Sequence, residues 1–249
     1  MGAMFGEAWS RLGHTVHAVD RTASEDGTLA LDIDTLTRTV PGSDVVVLSV
    51  PAPAVPEVMD RVAPYLGDAH ILADVCSVKV LPMRWMQERF SGEVVGAHPF
   101  FGPDNLREDW ARENLRVALV PGERATERGR AVVKELFREM GCATFFTTAG
   151  EHDRKAAISQ SLHFALSAAY FTVVSRETEL DAYLTPSFTR YMLAAQKELT
   201  VNAPMFVEFT AANPLFPEML AATRRLLEDA GEENLRALVG EAGEWYAGR

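Results

Sequence analysis

His98 stands in Gly96-Ala97-His98-Pro99-Phe100-Phe101-Gly102-Pro103-Asp104, directly after a short β-branched run. A side chain with an ordinary pKa of about 6.5 suits proton removal near neutral pH, and a strand end can hold it in place. Pro99 and Gly102 also mark a turn, so a loop-capping histidine is the alternative. Ser77 and Lys79 fall in Ala73-Asp74-Val75-Cys76-Ser77-Val78-Lys79. The serine is either a group that meets a ligand or the N-cap of a helix beginning near Val80. The lysine is either a cation for an anionic substrate or a solvated surface side chain. Further on, Arg190 offers the planar fork that pairs with a carboxylate, or else is a surface arginine. Gln160 and His163, three residues apart, share a face of an apolar helix, where a histidine is commonly a satisfied core residue. His152 and Asp153 begin that helix and read as capping and dipole compensation rather than catalysis. Phe100, Phe101, Phe145 and Phe146 read as cleft or core packing. His14 and His17 have no partners at metal-ligand spacing, and no cluster argues for a metal site.

A second kind of chemistry is written at the start of the chain. Gly2 opens an amphipathic stretch, Ala3–Leu12, Gly13-His14 turns the chain, and Thr15–Val19 forms a strand ending in Asp20. This resembles the tail of a dinucleotide-binding βαβ unit. There the last of three glycines permits close packing, and the pyrophosphate sits on the helix N-terminus. An acid about twenty residues on accepts hydrogen bonds from the adenosine ribose. The cofactor candidates are therefore Gly2, Met4, Asp20 and Arg21, with Val50 and Pro51 at the end of the Asp44–Val50 run. Asp20 would repel a 2′-phosphate and favours NAD over NADP, a preference that Arg21 could soften. The first strand and first two glycines of the motif are not in this sequence. We expect them upstream of Met1, the alternative being a chain that no longer binds the cofactor. A central strand removed from a doubly wound sheet would leave backbone groups unpaired.

The elements that must position these groups come in two textures. Up to about residue 150, β-branched runs (His14–Val19, Asp44–Val50, His70–Val75, Glu93–Ala97, Arg116–Val120, Thr144–Thr147) alternate with helical spacing at Val55–Leu66, Val80–Phe90 and Thr126–Met140. That alternation predicts a mostly parallel α/β sheet covered on both faces. Beyond it, Glu151–Ser175, Thr189–Thr200, Phe206–Ala211 and Leu215–Tyr246 read as helices. We expect a nucleotide-binding α/β domain over 1–149 and an all-helical domain over 150–249. Trp9 and Trp85 sit in helical patterns as packing, and Arg224–Arg236 reads as a solvated helix face.

Composition narrows the classes of function. The 249 residues carry 24 Lys+Arg against 35 Asp+Glu, a formal charge of −11, which repels phosphate backbones and argues against a nucleic-acid partner. Apolar residues at 47 % and charged residues at 24 % give the balance of an ordinary soluble globular protein. No apolar run approaches a bilayer span and no basic n-region opens the chain, so no membrane partner is expected. Cys76 and Cys142 make neither a disulfide framework nor a metal knuckle, which suits a soluble protein of a reducing, cytoplasmic compartment.

Three segments together make the reading specific. They are the one around Ser77 and Lys79, the His98-Pro99-x-x-Gly102-Pro103 segment, and Glu151-His152-Asp153 followed by Ser159-Gln160-Ser161-Leu162-His163-Phe164. In this order they resemble the prephenate dehydrogenase family, which includes arogenate and 4-amino-4-deoxyprephenate relatives. The resemblance runs from Gly2 almost to the C-terminus. It implies a Rossmann-like domain followed by a helical domain that makes a homodimer. It also implies NAD-dependent oxidative decarboxylation of a cyclohexadienyl carboxylate in tyrosine-type aromatic amino-acid biosynthesis. A hydride leaves C4 for the nicotinamide, the C4 hydroxyl loses its proton, and the ring carboxylate departs as CO₂ while the ring aromatises.

By resemblance, His98 is the catalytic base and Ser77 orients the substrate hydroxyl. Lys79, Gln160, His163 and Arg190 are substrate-binding candidates, the helix carrying His163 being one that lines the cleft in this family. One position departs from the pattern. Members that use prephenate usually carry an arginine a few residues before the proline matched by Pro204, where this chain has Glu198 beside Lys197. A glutamate repels a ring carboxylate, so Lys197 or Arg190 substitutes, or the substrate is arogenate or 4-amino-4-deoxyprephenate. A non-redox relative that binds a small carboxylate is the remaining alternative. A monofunctional enzyme without a mutase or an amino-acid-sensing domain is expected.

Overall fold

The protein is described as a computed structural model covering residues 1–102, 115–228 and 231–249. Pro103 and Asp104, the end of the His98 segment, lie outside the described residues. The chain divides into two compact units, Met1–Ala156 and Ala157–Arg249, a later division than the expected boundary at 149. The side chains of His152 and Asp153 tie the intervening helical turns to the first unit, as set out below.

The first unit holds a five-stranded sheet, ordered β3 (Val45–Leu48), β4 (Ile71–Asp74), β5 (Glu93–Pro99), β6 (Arg116–Pro121) and β7 (Ala143–Phe146). All neighbours are parallel except β5 and β6, where His98 faces Ala118 across an antiparallel ladder. Every residue of β4 and β5 is buried. Ile71, Leu72 and Ala73 follow one another without polar alternation because both sheet faces are covered. The helices are α1 (Gly2–Arg11), α2 (Ile33–Thr39), α3 (Val55–Val62), α4 (Val80–Arg89), α5 (Glu127–Glu139) and α6 (Ala149–Ala156). Two apolar residues four apart on α1, Phe5 and Trp9, bury against Phe137 of α5, with ring centroids 5.2–5.9 Å apart. The Trp9 indole N–H donates to the Leu136 carbonyl at 2.9 Å.

The sheet is split where the sequence predicts a missing strand. β1 (Val19–Asp20) and β2 (Leu29–Ala30) pair only with each other, and β3 is an edge of the larger sheet. The run expected as a strand over His14–Val19 shrinks to its last residue plus Asp20. Without a central strand beside it, most of that run has no ladder to join. Val45, Val46 and Val47 of β3 are only half-buried, unlike β4. At the turn after α1, Gly13 takes φ 96°, a left-handed conformation that glycine adopts without a Cβ penalty. The short β2 and α2 had no clear signal in the sequence. In α2, Asp32 caps the N-terminus by accepting from the Thr35 N–H at 2.8 Å.

The second unit opens with a π-helical segment, Ala157–Leu162, and continues as α7 (His163–Val174), α8 (Pro186–Leu199), α9 (Ala203–Ala212), α10 (Phe216–Leu227) and α11 (Glu232–Ala247). The single helix expected over Leu215–Tyr246 is thus two, the second beginning after Gly231, whose extended backbone (ψ 154°) cannot continue a helix. The chain is helical from Ala149 to Val174, long and apolar enough by length and composition to cross a membrane. That corrects the expectation that no stretch qualifies. Ser159, Gln160, Ser161, His163 and Ser167 interrupt the apolar run, yet no Asp, Glu, Lys or Arg falls between 157 and 174.

Candidate active site

His98 is the penultimate residue of β5, held by ladder bonds to β6 and 4 % exposed. Its Nδ1 lies 2.8 Å from Nε2 of His152 on α6, and the two rings meet edge to face with centroids 5.0 Å apart. Nδ1 of His152 is in turn 2.8 Å from the Asp153 carboxylate. That carboxylate also accepts the backbone N–H groups of Lys79, at 2.6 Å, and Val80, at 2.8 Å. Asp153 therefore caps α4 from more than seventy residues away, and the helix has no side-chain cap of its own. Ser77 is not that cap. Its hydroxyl has no hydrogen-bond partner among the described residues and is half-buried just before α4.

Lys79 corrects an expectation. Neither a surface lysine nor a free cation for substrate, it is fully buried, its ammonium paired with the Asp74 carboxylate and donating to the Ala97 carbonyl at 2.6 Å. Gly96 makes this possible: a Cβ there would stand 2.6 Å from Met83 Sδ and 2.9 Å from Asp74 Oδ1. Burial is the largest influence on His98, and it lowers the pKa well below the ordinary histidine value; the neighbouring His152, beside which a second charge is unfavourable, and the Lys79 ammonium add to it. His98 is held neutral at neutral pH, the form in which an imidazole takes up a proton.

Phe100 stands over this group, its ring 4.6 Å from His98 and stacked at 6.0 Å on His152 and 6.2 Å on Phe145. With Thr147, Glu151, His152 and Lys155, Phe100 and Phe145 line an open cavity of about 160 Å³. Phe100 and Phe145 are more than two-fifths exposed and face this opening, while Phe146, the next residue of β7, is exposed but does not line it.

Of the nucleotide candidates, Gly2 and the Val50-Pro51 turn meet at the end of β3. Gly2 opens α1, where a Cβ would lie 3.4 Å from both Cβ and Oγ of Ser49, the residue that follows β3. The Ser49 hydroxyl is buried without a hydrogen-bond partner. An orphaned hydroxyl beside a helix N-terminus fits a polar group such as a phosphate. Asp20 ends β1 exposed, its Oδ1 accepting the Arg21 N–H at 2.6 Å. Val50 and Pro51 follow Ser49, the Val50 carbonyl accepting from the Cys76 thiol at 3.4 Å. Met4 packs against the core beneath α1.

In the second unit, His163 is half-exposed and its Nδ1 lies 3.3 Å from the carboxylate of Glu198 on α8. Glu198 is thus the histidine's partner. Gln160 falls inside the π segment, whose wider turn means that three-residue spacing no longer guarantees a face shared with His163. Arg190 is exposed, with no ion pair among the described residues. The residues that the sequence reading passed over are His152 and Asp153. Their signal was a His-Asp pair at the start of a helix, which a capping role also explained.

Among the described residues no group of acidic, His and Cys side chains could hold a metal ion. Residues 11–145 match the family described as "Prephenate dehydrogenase, nucleotide-binding domain". The chain is 31 % identical over 209 residues to the T-protein of Haemophilus influenzae, covering 84 % of this chain and 50 % of that one. It is 26 % identical over 204 residues to the cyclohexadienyl dehydrogenase of Zymomonas mobilis, covering 78 % and 70 %. The chain spans about half the length of the two T-proteins it matches. In fold it is similar to the prephenate dehydrogenase of A. aeolicus solved with hydroxyphenyl propionate and NAD+, with a TM-score of 0.73 at 18 % identity over 100 % of this chain and 95 % of that one. It is also similar to the arogenate dehydrogenase of Synechocystis, with a TM-score of 0.69 at 16 % identity over 100 % and 96 %. With more than half of its residues matched by the family, and a buried neutral histidine at the strand end where the motif puts one, the chain belongs to the prephenate dehydrogenase family.

Proposed function

We propose that the protein catalyses NAD-dependent oxidative decarboxylation of a cyclohexadienyl carboxylate, with His98 as the base. The observation that carries the proposal is the buried, neutral His98, whose Nδ1 is engaged by His152. NAD, when bound, supplies the hydride acceptor. Gly2 with the α1 N-terminus, Ser49, Val50 and Pro51 are the residues that would hold its phosphates, and Asp20 its adenosine ribose. The rest of the chemistry falls to side chains of this chain. His98 removes the proton from the ring hydroxyl, Ser77 with its unengaged hydroxyl orients that oxygen, and Phe100 keeps water from the imidazole. Once the proton and hydride have gone, loss of CO₂ leaves an aromatic ring with a phenolate oxygen, which takes back the proton that His98 holds, so no second acid is needed.

Gln160, His163 and Arg190 of the helical unit are the substrate-contact candidates, with Arg190 the free fork for a carboxylate. A second reading of the substrate has an observation of its own. Glu198 stands where prephenate users carry an arginine, and its buried Oε2, 3.3 Å from Nδ1 of His163, has no hydrogen-bond partner among the described residues. An ammonium group, as in arogenate or 4-amino-4-deoxyprephenate, meets that carboxylate better than a second carboxylate does. We further propose a cytoplasmic homodimer through the helical unit, in which Val173, Leu193, Met205, Val207, Val239 and Tyr246 are exposed.

The test is NADH formation with prephenate, arogenate and 4-amino-4-deoxyprephenate, in the protein and in His98→Asn. Turnover of one substrate is expected, falling by about 10²–10⁴-fold in His98→Asn, the usual worth of a general base. Unchanged turnover in His98→Asn would remove the histidine from the mechanism. Silence with all three substrates, together with no NAD binding by calorimetry, would remove the dehydrogenase.

A further inference from the structure

We propose that His152 is a positioning residue that fixes the tautomer of His98, and that Asp153 fixes His152, so that Nε2 of His98 carries the lone pair used for catalysis. The inference rests on His98 being the base of the proposed reaction, and it follows from donor and acceptor accounting. The Asp153 carboxylate accepts two backbone N–H groups at the N-terminus of α4, from Lys79 and Val80. A carboxylate in that position is ionised and can only accept. Nδ1 of His152, 2.8 Å away, must then be the donor. A neutral imidazole has one N–H, so Nε2 of His152 holds a lone pair. Among the described residues the only group it meets within hydrogen-bond distance is Nδ1 of His98, which must therefore carry its proton. That leaves Nε2 of His98 bare, and among the described residues nothing hydrogen-bonds to it.

The alternative chain of protons fails on the same accounting. A proton on Nε2 of His98 would turn Nδ1 into an acceptor facing a second acceptor at 2.8 Å, unless His152 were doubly protonated. A doubly protonated His152 would place an imidazolium against a buried imidazole, with the Lys79 ammonium close by. Among the described residues, the charged and titratable groups around His98 are His152 and Asp153 on α6, Lys79 before α4 and Asp74 at the end of β4. Asp74 is already engaged by Lys79. When Nε2 of His98 accepts the substrate proton, the imidazolium keeps its Nδ1–H on His152, and the Asp153 carboxylate stabilises that charge through the second ring. No proton needs to leave the chain. The arrangement has two rings where a catalytic histidine commonly has one carboxylate, and it explains why a helix-capping aspartate sits beside a buried histidine.

The experiment reads the tautomer directly. Long-range ¹H–¹⁵N spectra of the protein, with the His98 ring signals assigned by their loss in His98→Asn, should show Nδ1 protonated and Nε2 bare at neutral pH. His152 should show the same pattern. His152→Leu removes the acceptor, and His98 should revert to the Nε2-protonated form that isolated imidazoles prefer. With the substrate that is turned over, kcat should fall by about 10- to 100-fold, part of the worth of a general base, while KM changes little. His152→Gln keeps one acceptor and one donor, and should restore the Nδ1-protonated signal and most of kcat. Nε2–H on His98 in the unaltered protein, or a doubly protonated His152, would overturn the proposal. So would a His152→Leu variant whose His98 tautomer and kcat are unchanged. If His152→Leu does not fold, the spectrum of the unaltered protein decides. If no cyclohexadienyl substrate is turned over, the proposed function fails while the tautomer is still read.

Discussion

In the nucleotide-binding unit, charged and titratable side chains are buried against specific partners, with the Ser49 hydroxyl and Asp74 Oδ1 left unmatched. Lys79 meets Asp74, Glu93 takes the N–H groups that open α5, and His98 meets His152, which meets Asp153. In the helical unit the mismatch runs the other way: large apolar side chains such as Leu193, Val201 and Val239 are 65–78 % exposed, and few polar groups are enclosed. Buried pairs stabilise weakly but are costly to break, because the partner is left as a desolvated orphan. An exposed apolar side chain costs little to change unless something covers it. The first unit should therefore respond steeply to single substitutions inside it, and the second hardly at all while monomeric.

The largest stability effect should come from Lys79→Met, which leaves the buried Asp74 carboxylate without its cation. Asp74 Oδ1 already lacks a hydrogen bond, so the carboxylate would be left with the Cys76 N–H and no cation. Loss of about 3–5 kcal/mol in urea unfolding is expected, the range for halving a buried pair. The variant also removes one of the charges that depress the His98 pKa. A loss below about 1 kcal/mol, the range of a surface pair, would mean that water reaches Asp74.

Gly96→Ala should come next. Its Cβ would enter the space held by Met83 Sδ and Asp74 Oδ1, at 2.6 and 2.9 Å. Met83 can swing, but the carboxylate is pinned by Lys79 and the Cys76 N–H. Overpacking of this kind costs about 1–3 kcal/mol, readable as a lower denaturation midpoint with an unchanged slope. An unchanged midpoint would show that Met83 alone absorbs the methyl.

These two positions also mark how far the sequence could be read. The strands β3 to β7 were legible because β-branched and apolar runs were bounded by turns. Gly2 and Asp20 marked the tail of a βαβ unit, but the separation of β1 and β2 from the larger sheet was not legible, because strand pairing is a long-range property that local runs do not carry. Lys79 was misread because nothing local distinguishes a buried lysine from a solvated one. Its partner Asp74 sits five residues back on a strand, and the space for the pair depends on Gly96, contributed by β5. Asp153 was read correctly as a cap, but of its own helix, when it caps α4. That link spans more than seventy residues, and no periodicity carries it. Within the helical unit, Gly231 was one glycine in a charge-rich stretch, and its helix-breaking backbone was not visible as spacing.

Acid should separate the units further. The folded-state pKa of His98 lies well below that of the unfolded chain, at about 6.5, first because it is buried. Between those values the unfolded chain binds the extra proton, so stability is full above about pH 6.5 and is lost as pH falls toward the folded pKa. Melting temperature should decline on the acid side in the unaltered protein and decline less steeply in His98→Asn. Parallel curves for the two would place the acid sensitivity elsewhere in the chain.

The smallest effect is expected at Leu193, 65 % exposed on α8. Leu193→Gln keeps helix propensity and removes an apolar side chain that the helical unit itself does not enclose, so in the monomer its cost should stay within about 0.5 kcal/mol. Dimerisation changes that arithmetic. If a second copy covers the apolar face, folding and association are linked, and melting temperature rises with protein concentration. Scans of the unaltered protein over a hundredfold range of concentration should show that rise, with Leu193→Gln costing least where the monomer prevails. A cost above about 2 kcal/mol at the most dilute end is the scale of a buried leucine. It would mean that Leu193 is enclosed within a single chain, and the contrast between the units would then be one of partners rather than of polarity.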